Sequence, residues 1–209
     1  MARRKKEAEG FHRRQIAEAA GVLFRTRGVE HTTVEEIAKY AGYSKATLYV
    51  YFQNKRDIVG ELALQSMELL REHLETALSA PGSSRQKYDA LCRALTEYHR
   101  QYPEYFQTVL GSIGFDPGGA AGQEAAGSLP VERRIYETGE QLNGMVGGML
   151  REGMARGELR PDLEILPTVF TFWAALSGIV QMAAGKQVYL ETVLLIPPER
   201  FLEDSFSLL

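Results

Sequence analysis

The stretch TTVEEIAKYAGYSKATLYVYFQNK occupies residues 32–55. Thr33 followed three residues later by Glu36 is a capping box, the signature of a helix start. Gly42 supplies the left-handed backbone that a tight turn needs, so this helix is expected to run from Val34 to Ala41. Ser44 can cap a second helix, expected from Lys45 to Phe52. The β-branched and aromatic run from Thr47 to Phe52 would also suit a strand, but no comparable strand lies nearby to pair with it. Two short helices joined by a glycine turn make a helix-turn-helix. Ala38 is small enough for close packing, and Ile37, Leu48 and Phe52 are expected to point inward with Phe24. The second helix of such a unit enters the major groove by its first residues, where Ser44, Lys45 and Thr47 place polar atoms. Tyr49, Tyr51 and Lys55 add hydroxyl and ammonium donors suited to phosphates.

Upstream, Ile16, Ala19, Ala20, Leu23 and Phe24 recur at helical spacing and Gly28 stops that helix. Downstream, a long helix is expected from about Lys55 to Ser79, another from about Arg85 to Gln101, and a short one from Pro103 to Ile113. Gly114–Ser128 reads as a mobile loop. Pro130 opens a helix reaching about Arg156. The uncharged stretch Ile165–Gly185 follows, and Pro197-Pro198 precede a last helix ending at Leu209. The expectation is all-α, about nine helices and no sheet.

Charge is unevenly divided. Residues 1–56 hold 12 Lys and Arg against six Asp and Glu, a net of +6. The remaining 153 residues hold 12 against 21, a net of −9. A polyanion-binding module on an acidic body fits that split. Residues 1–10 read as a flexible basic arm. The single cysteine, Cys92, excludes an intrachain disulfide and a cysteine-based zinc cluster. No apolar h-region follows the basic start, so the expected location is cytoplasmic. Ile165–Gly185 is long enough to span a bilayer, but Pro167, Thr168, Thr171, Ser177, Gly178 and Gln181 lower its apolarity, and a helix buried in a protein core or an interface fits it better.

These residues resemble the TetR (tetracycline-repressor-like) family of bacterial transcription regulators. Phe24, Gly28, Thr32-Thr33-Val34, Ile37-Ala38, Ala41-Gly42, Ser44, Leu48-Tyr49, Phe52 and Lys55 stand in the family's order and spacing across residues 11–59. The resemblance implies that Lys45, Ala46 and Thr47 face bases, and that Thr33, Tyr49, Tyr51 and Lys55 contact phosphates. It also implies a homodimer that binds a small molecule and then releases DNA. Tyr43 departs from the pattern, because the family often has a small aliphatic residue there.

The expected organisation is therefore a three-helix DNA-binding domain over residues 1–55 and a ligand-binding and dimerisation domain over residues 56–209. Tyr98, Tyr102, Phe106, Met145 and Met149 are candidates for a mainly apolar ligand cavity. Phe170, Trp173, Ala174, Ser177, Gln181 and Phe201 are candidates for a four-helix dimer interface. His12, His31, His73 and His99 lie far apart in sequence, so no metal site is expected. No nucleophile–base pair or cofactor fingerprint is visible, so neither an enzyme nor a cofactor is expected. The expected partners are an operator duplex, a second copy of the chain and an unidentified small effector, with no membrane. The function expected is a repressor released from its operator by that effector. The alternative is a ligand-independent architectural or division-control protein on the same fold.

Overall fold

A computed structural model describes residues 2–107, 110 and 130–208, with side chains from residue 10 onward. Among the described residues the regular structure is helical throughout. The elements are α1 (Ala2–Arg27), α2 (Val34–Tyr40), α3 (Lys45–Tyr51), α4 (Lys55–Leu78) and α5 (Ser84–Gln101). They continue with α6 (Pro103–Phe106), α7 (Pro130–Ala155), α8 (Ile165–Gly185), α9 (Gln187–Tyr189), a π-helical turn (Leu190–Leu194) and α10 (Pro198–Ser207). The Gly114–Ser128 stretch and the expected continuation of α6 to Ile113 lie outside the described residues. Two features differ from the sequence reading. Residues 2–10, expected to be a flexible arm, belong to α1; they are strong helix formers, with Gly10 at the end of the run. The short α9 and its π turn are not anticipated by sequence, because their run between Lys186 and Pro197 carries no clear helical period.

The chain divides into two compact units, the first made of Met1–Glu68 and Phe115–Thr138, the second of Leu69–Gly114 and Gly139–Leu209. The first unit thus runs beyond residue 55. Ile58 of α4 belongs to the same buried cluster as Ile16, Ala20, Leu23, Ile37, Leu48 and Phe52. Further along α4, Ala63 and Leu64 pack with Val131 and Ile135 of α7. Thr33 caps α2 with the full box: its hydroxyl accepts from the Glu36 N–H, and the Glu36 carboxylate accepts from the Thr33 N–H. Ser44 caps α3 through the Thr47 N–H at 3.0 Å. Gly42 has φ +79°, the left-handed turn the two helices require.

Arg13 of α1 anchors the far end of α3. Its guanidinium donates to the Tyr51 carbonyl. It also donates to Glu61 at 2.9 Å and Asp57 at 3.0 Å, and it lies 4.2 Å over the Phe52 ring. Asp57 in turn accepts from the Gln53 N–H at 3.0 Å. Both carboxylate residues are only 5% exposed.

In the second unit, α8 packs on α5 and α10. Leu91, Leu95, Tyr98, Val169, Leu176 and Val180 are buried there. The Tyr88 hydroxyl donates to the Phe206 carbonyl at 3.0 Å. Cys92 is buried as expected, and desolvation pushes its thiol up to about 11.

Two substitutions test the first unit. Arg13→Ala strands two buried carboxylates and is expected to cost roughly 3–5 kcal/mol in chemical denaturation. Gly42→Ala meets no atom within 4 Å of the added Cβ. Its cost should therefore be backbone strain alone, roughly 1–2 kcal/mol, with Gly42→Asn milder.

Candidate nucleic-acid interface

The helix expected to read DNA, α3, is seven residues long. Leu48 is its one buried residue, fixing the helix on the core of the first unit. Lys45, Ala46, Tyr49 and Val50 are exposed. The first, second, fifth and sixth positions of α3 thus share the solvent side, as helical geometry dictates. Val50 is 76% exposed, and sequence reasoning does not single it out. An aliphatic residue within an aromatic-rich run looks like core, and only the register of Leu48 and Phe52 shows otherwise.

The expected hydroxyl donors have local work. The Thr33 hydroxyl donates to the Glu36 carboxylate at 2.9 Å. The Ser44 and Thr47 hydroxyls lie 2.8 Å apart. These groups shape the helix starts first, and any DNA contact uses their remaining lone pairs or protons. Lys55 departs further from the phosphate-contact expectation. Its ammonium donates to the Val29 carbonyl at 2.8 Å and the Thr32 carbonyl at 3.3 Å, tying α4 to the α1–α2 connection. Two of its three donors are thereby occupied.

Tyr51 is half-buried. Its ring lies 5.2 Å from His12 and 6.5 Å from Tyr43. The Tyr43 hydroxyl shares a 2.7 Å hydrogen bond with His12 Nδ1 and donates to Gln15 Oε1 at 2.8 Å. Where the family often has a small aliphatic residue, this chain thus ties the turn to α1. Lys45 forms an ion pair with Glu35 of α2. That pairing holds the Glu35 carboxyl below its ordinary range and the Lys45 ammonium above its own. Glu36 is also lowered, chiefly by the backbone N–H and hydroxyl of Thr33.

The other candidates fall in the second unit. Tyr98 and Phe106 are buried. The Tyr98 ring lies 5.8 Å from Tyr102 and 6.3 Å from Phe106. His73 joins this cluster 5.6 Å from Tyr98, and His99 lies 4.7 Å from Phe106. Sequence spacing gives no hint that these two histidines share one aromatic cluster. Burial lowers His99 and raises the Tyr98 hydroxyl. On α7, Met149 is buried and Met145 half-buried. Of the interface candidates, Phe170 and Ala174 are exposed, while Trp173, Gln181 and Phe201 are half-buried. Ser177 is buried in its own chain and donates to the Trp173 carbonyl at 2.7 Å. It sits beside Leu176 and Val180 on the inward stripe, so the outward face of α8 does not include it.

Comparison with known proteins agrees with this geometry. The family model for bacterial regulatory proteins of the tetR family matches residues 16–62, which span the carboxy-terminal part of α1 through the start of α4. The HTH-type transcriptional regulator TtgR of Pseudomonas putida is 42% identical over 77 residues, 37% of this chain and 36% of that protein. The HTH-type transcriptional regulator SrpR of Pseudomonas putida is 24% identical over 180 residues, 85% of this chain and 78% of its own. Among solved structures, FadR from Bacillus subtilis in complex with stearoyl-CoA superposes with a TM-score of 0.67 at 21% identity, covering 92% of this chain and 97% of that one. That last likeness is one of fold. The capped helix-turn-helix of residues 16–62 is thus the amino-terminal segment of the tetR family of bacterial regulatory proteins, carried on a described body that is wholly helical.

Proposed function

We propose that the chain is a dimeric transcriptional repressor that grips an operator duplex with α3 of each copy and lets go when a small effector binds the carboxy-terminal helices. The observation that carries this reading is the solvent face of α3. Lys45, Ala46 and Tyr49 are exposed on a helix locked at its start by Ser44 and at its end by Arg13. That face lies within the basic part of an otherwise acidic chain. Lys45 is positioned to read a base edge, with guanine O6 and N7 the best-matched acceptors. Such a protein works in the cytoplasm, where its operator is. Its relatives are regulators, and no enzymatic role is proposed.

Dimerisation follows from an apolar face left uncovered. Leu166, Phe170 and Met182 of α8 are 63%, 61% and 51% exposed. Val188, Val193 and Leu195 just beyond α8 are 72%, 60% and 80% exposed. A monomer of this size seldom leaves so much apolar surface in water. By length and composition α8 could cross a membrane, but a second copy accounts for the same surface. Two half-sites one helical turn apart would then match the two recognition helices.

Effector response needs a connection between the units. Two helices are common to both, α4 and α7. Their amino-terminal parts are pinned together by Arg56–Glu132 at 2.6 Å and Arg134–Glu68 at 3.0 Å. A Cβ on Gly60 would come within 2.8 Å of Val131, so these helices touch closely there. A ligand favouring one arrangement of these helices would shift the population of DNA-competent dimers. The aromatic cluster around Tyr98 suits an apolar body, and the FadR neighbour holds stearoyl-CoA. An acyl thioester is accordingly the effector class proposed.

Selection from a random DNA pool should return a two-fold symmetric motif. Lys45→Ala should weaken binding to it by roughly 1–3 kcal/mol per half-site and relax preference at one base position. Recovery of no motif would refute the reading. Acyl-CoA thioesters of graded length should raise the melting temperature and release the operator, and a flat response across the series would exclude that class. In sedimentation the wild type should be a dimer at micromolar concentration, and Phe170→Asp should shift it toward monomer.

A further inference from the structure

We infer that Glu35 is a specificity-determining residue: it holds the Lys45 ammonium by an intramolecular ion pair, so that Lys45 is released only to a DNA site that offers a better acceptor. The inference rests on the proposal that the start of α3 faces DNA. Glu35 is in the first turn of α2 and Lys45 is the first residue of α3. Their side chains are 57% and 51% exposed, and they meet across the turn in an ion pair. Neither the capping of α2 nor that of α3 uses this carboxylate, since Thr33 with Glu36 and Ser44 with Thr47 supply those bonds. Glu35 accepts from its own backbone N–H in the first turn of α2, but neither helix cap depends on it, so its carboxylate can be removed with both caps left in place.

The consequence is electrostatic. Binding to arbitrary sequence comes from cations that displace condensed counterions from phosphates. A lysine already paired with a carboxylate adds little to that attraction. An exposed ion pair is also weak enough to break when a base edge offers two well-placed acceptors. Glu35 thus suppresses the sequence-independent contribution of Lys45 and leaves the sequence-dependent one accessible. A carboxylate on a surface that meets a polyanion looks like a defect, yet it improves discrimination by weakening the wrong complexes.

The test measures binding of the full chain to its selected operator and to a scrambled duplex across a salt series. The variants are Glu35→Gln, Lys45→Ala and the double variant. Both side chains are more than half exposed, so the fold should be retained, and Glu35→Ala serves as a second removal of the carboxylate. Glu35→Gln is expected to bind the scrambled duplex about two- to fivefold more tightly per subunit. The salt slope on that duplex should steepen by about one unit per subunit. The slope on the operator should stay as it is, because Lys45 is already released there. In the Lys45→Ala background the Glu35 substitution should do nothing. An unchanged slope on the scrambled duplex overturns the inference. Equal tightening in the Lys45→Ala background overturns it too, since the carboxylate would then act by simple repulsion. If Lys45→Ala weakens operator binding while Glu35→Gln is silent, only the inference falls. If Lys45→Ala leaves operator binding intact, the assignment of the start of α3 falls and takes the inference with it.

Discussion

A cation threaded between α1, α3 and α4 holds the amino-terminal unit in its working geometry. Arg13 joins the carbonyl that ends the recognition helix to two buried carboxylates on the next helix. A buried charge is tolerable only when its partners and hydrogen bonds are complete, and here each member completes the others. Because α3 is only seven residues long, it has little intrinsic helical stability and depends on such outside attachments. Its start is held by Ser44 and its middle by Leu48. Its end is held by Arg13, with Phe52 beneath the guanidinium.

That dependence explains why so many polar groups near the proposed DNA-facing surface are already in use. Thr33, Ser44 and Thr47 commit hydroxyl bonds to helix starts, and Lys55 commits two of its donors to the carbonyls of Val29 and Thr32. Freely displayed side chains such as Tyr49 and Val50 are then the ones whose chemistry is fully available to a duplex. The site is built less from dedicated ligands than from structural residues with spare valence.

Much of this is legible in the sequence, and the reasons for success and failure are physical. The capping box at Thr33, the Ser44 cap and the Gly42 turn are local devices, encoded within four residues, and each stands where the sequence puts it. The inward set Ile37, Leu48 and Phe52 follows from periodicity. Arg13 escapes such a reading because its partners lie 38 to 48 residues away, and no period in a single chain points to such a contact. The bonds of Lys55 to the Val29 and Thr32 carbonyls are not legible either, because backbone acceptors leave no mark in side-chain sequence. Ser177 is assigned outward because α8 is apolar nearly all round, so its pattern barely distinguishes inner from outer face. Val50 is overlooked for the opposite reason: hydrophobicity alone suggests burial.

The lock between Tyr43, His12 and Gln15 bears on how portable the DNA-reading element is. Recognition helices are attractive as interchangeable cassettes, since they are short and flanked by recurring sequence. Here the turn that launches the cassette is bolted to α1 by a phenol, and the helix that follows is bolted to α1 by a guanidinium. A graft of residues 43–52 into a relative with an aliphatic turn would bring a tyrosine hydroxyl with nothing to receive it. The reverse graft would leave His12 and Gln15 without the phenol that joins them, although Arg13 would still find a backbone carbonyl at position 51. Retargeting by transplantation would therefore have to move α1 together with α3, making the whole three-helix unit, and not the recognition helix, the smallest transferable part.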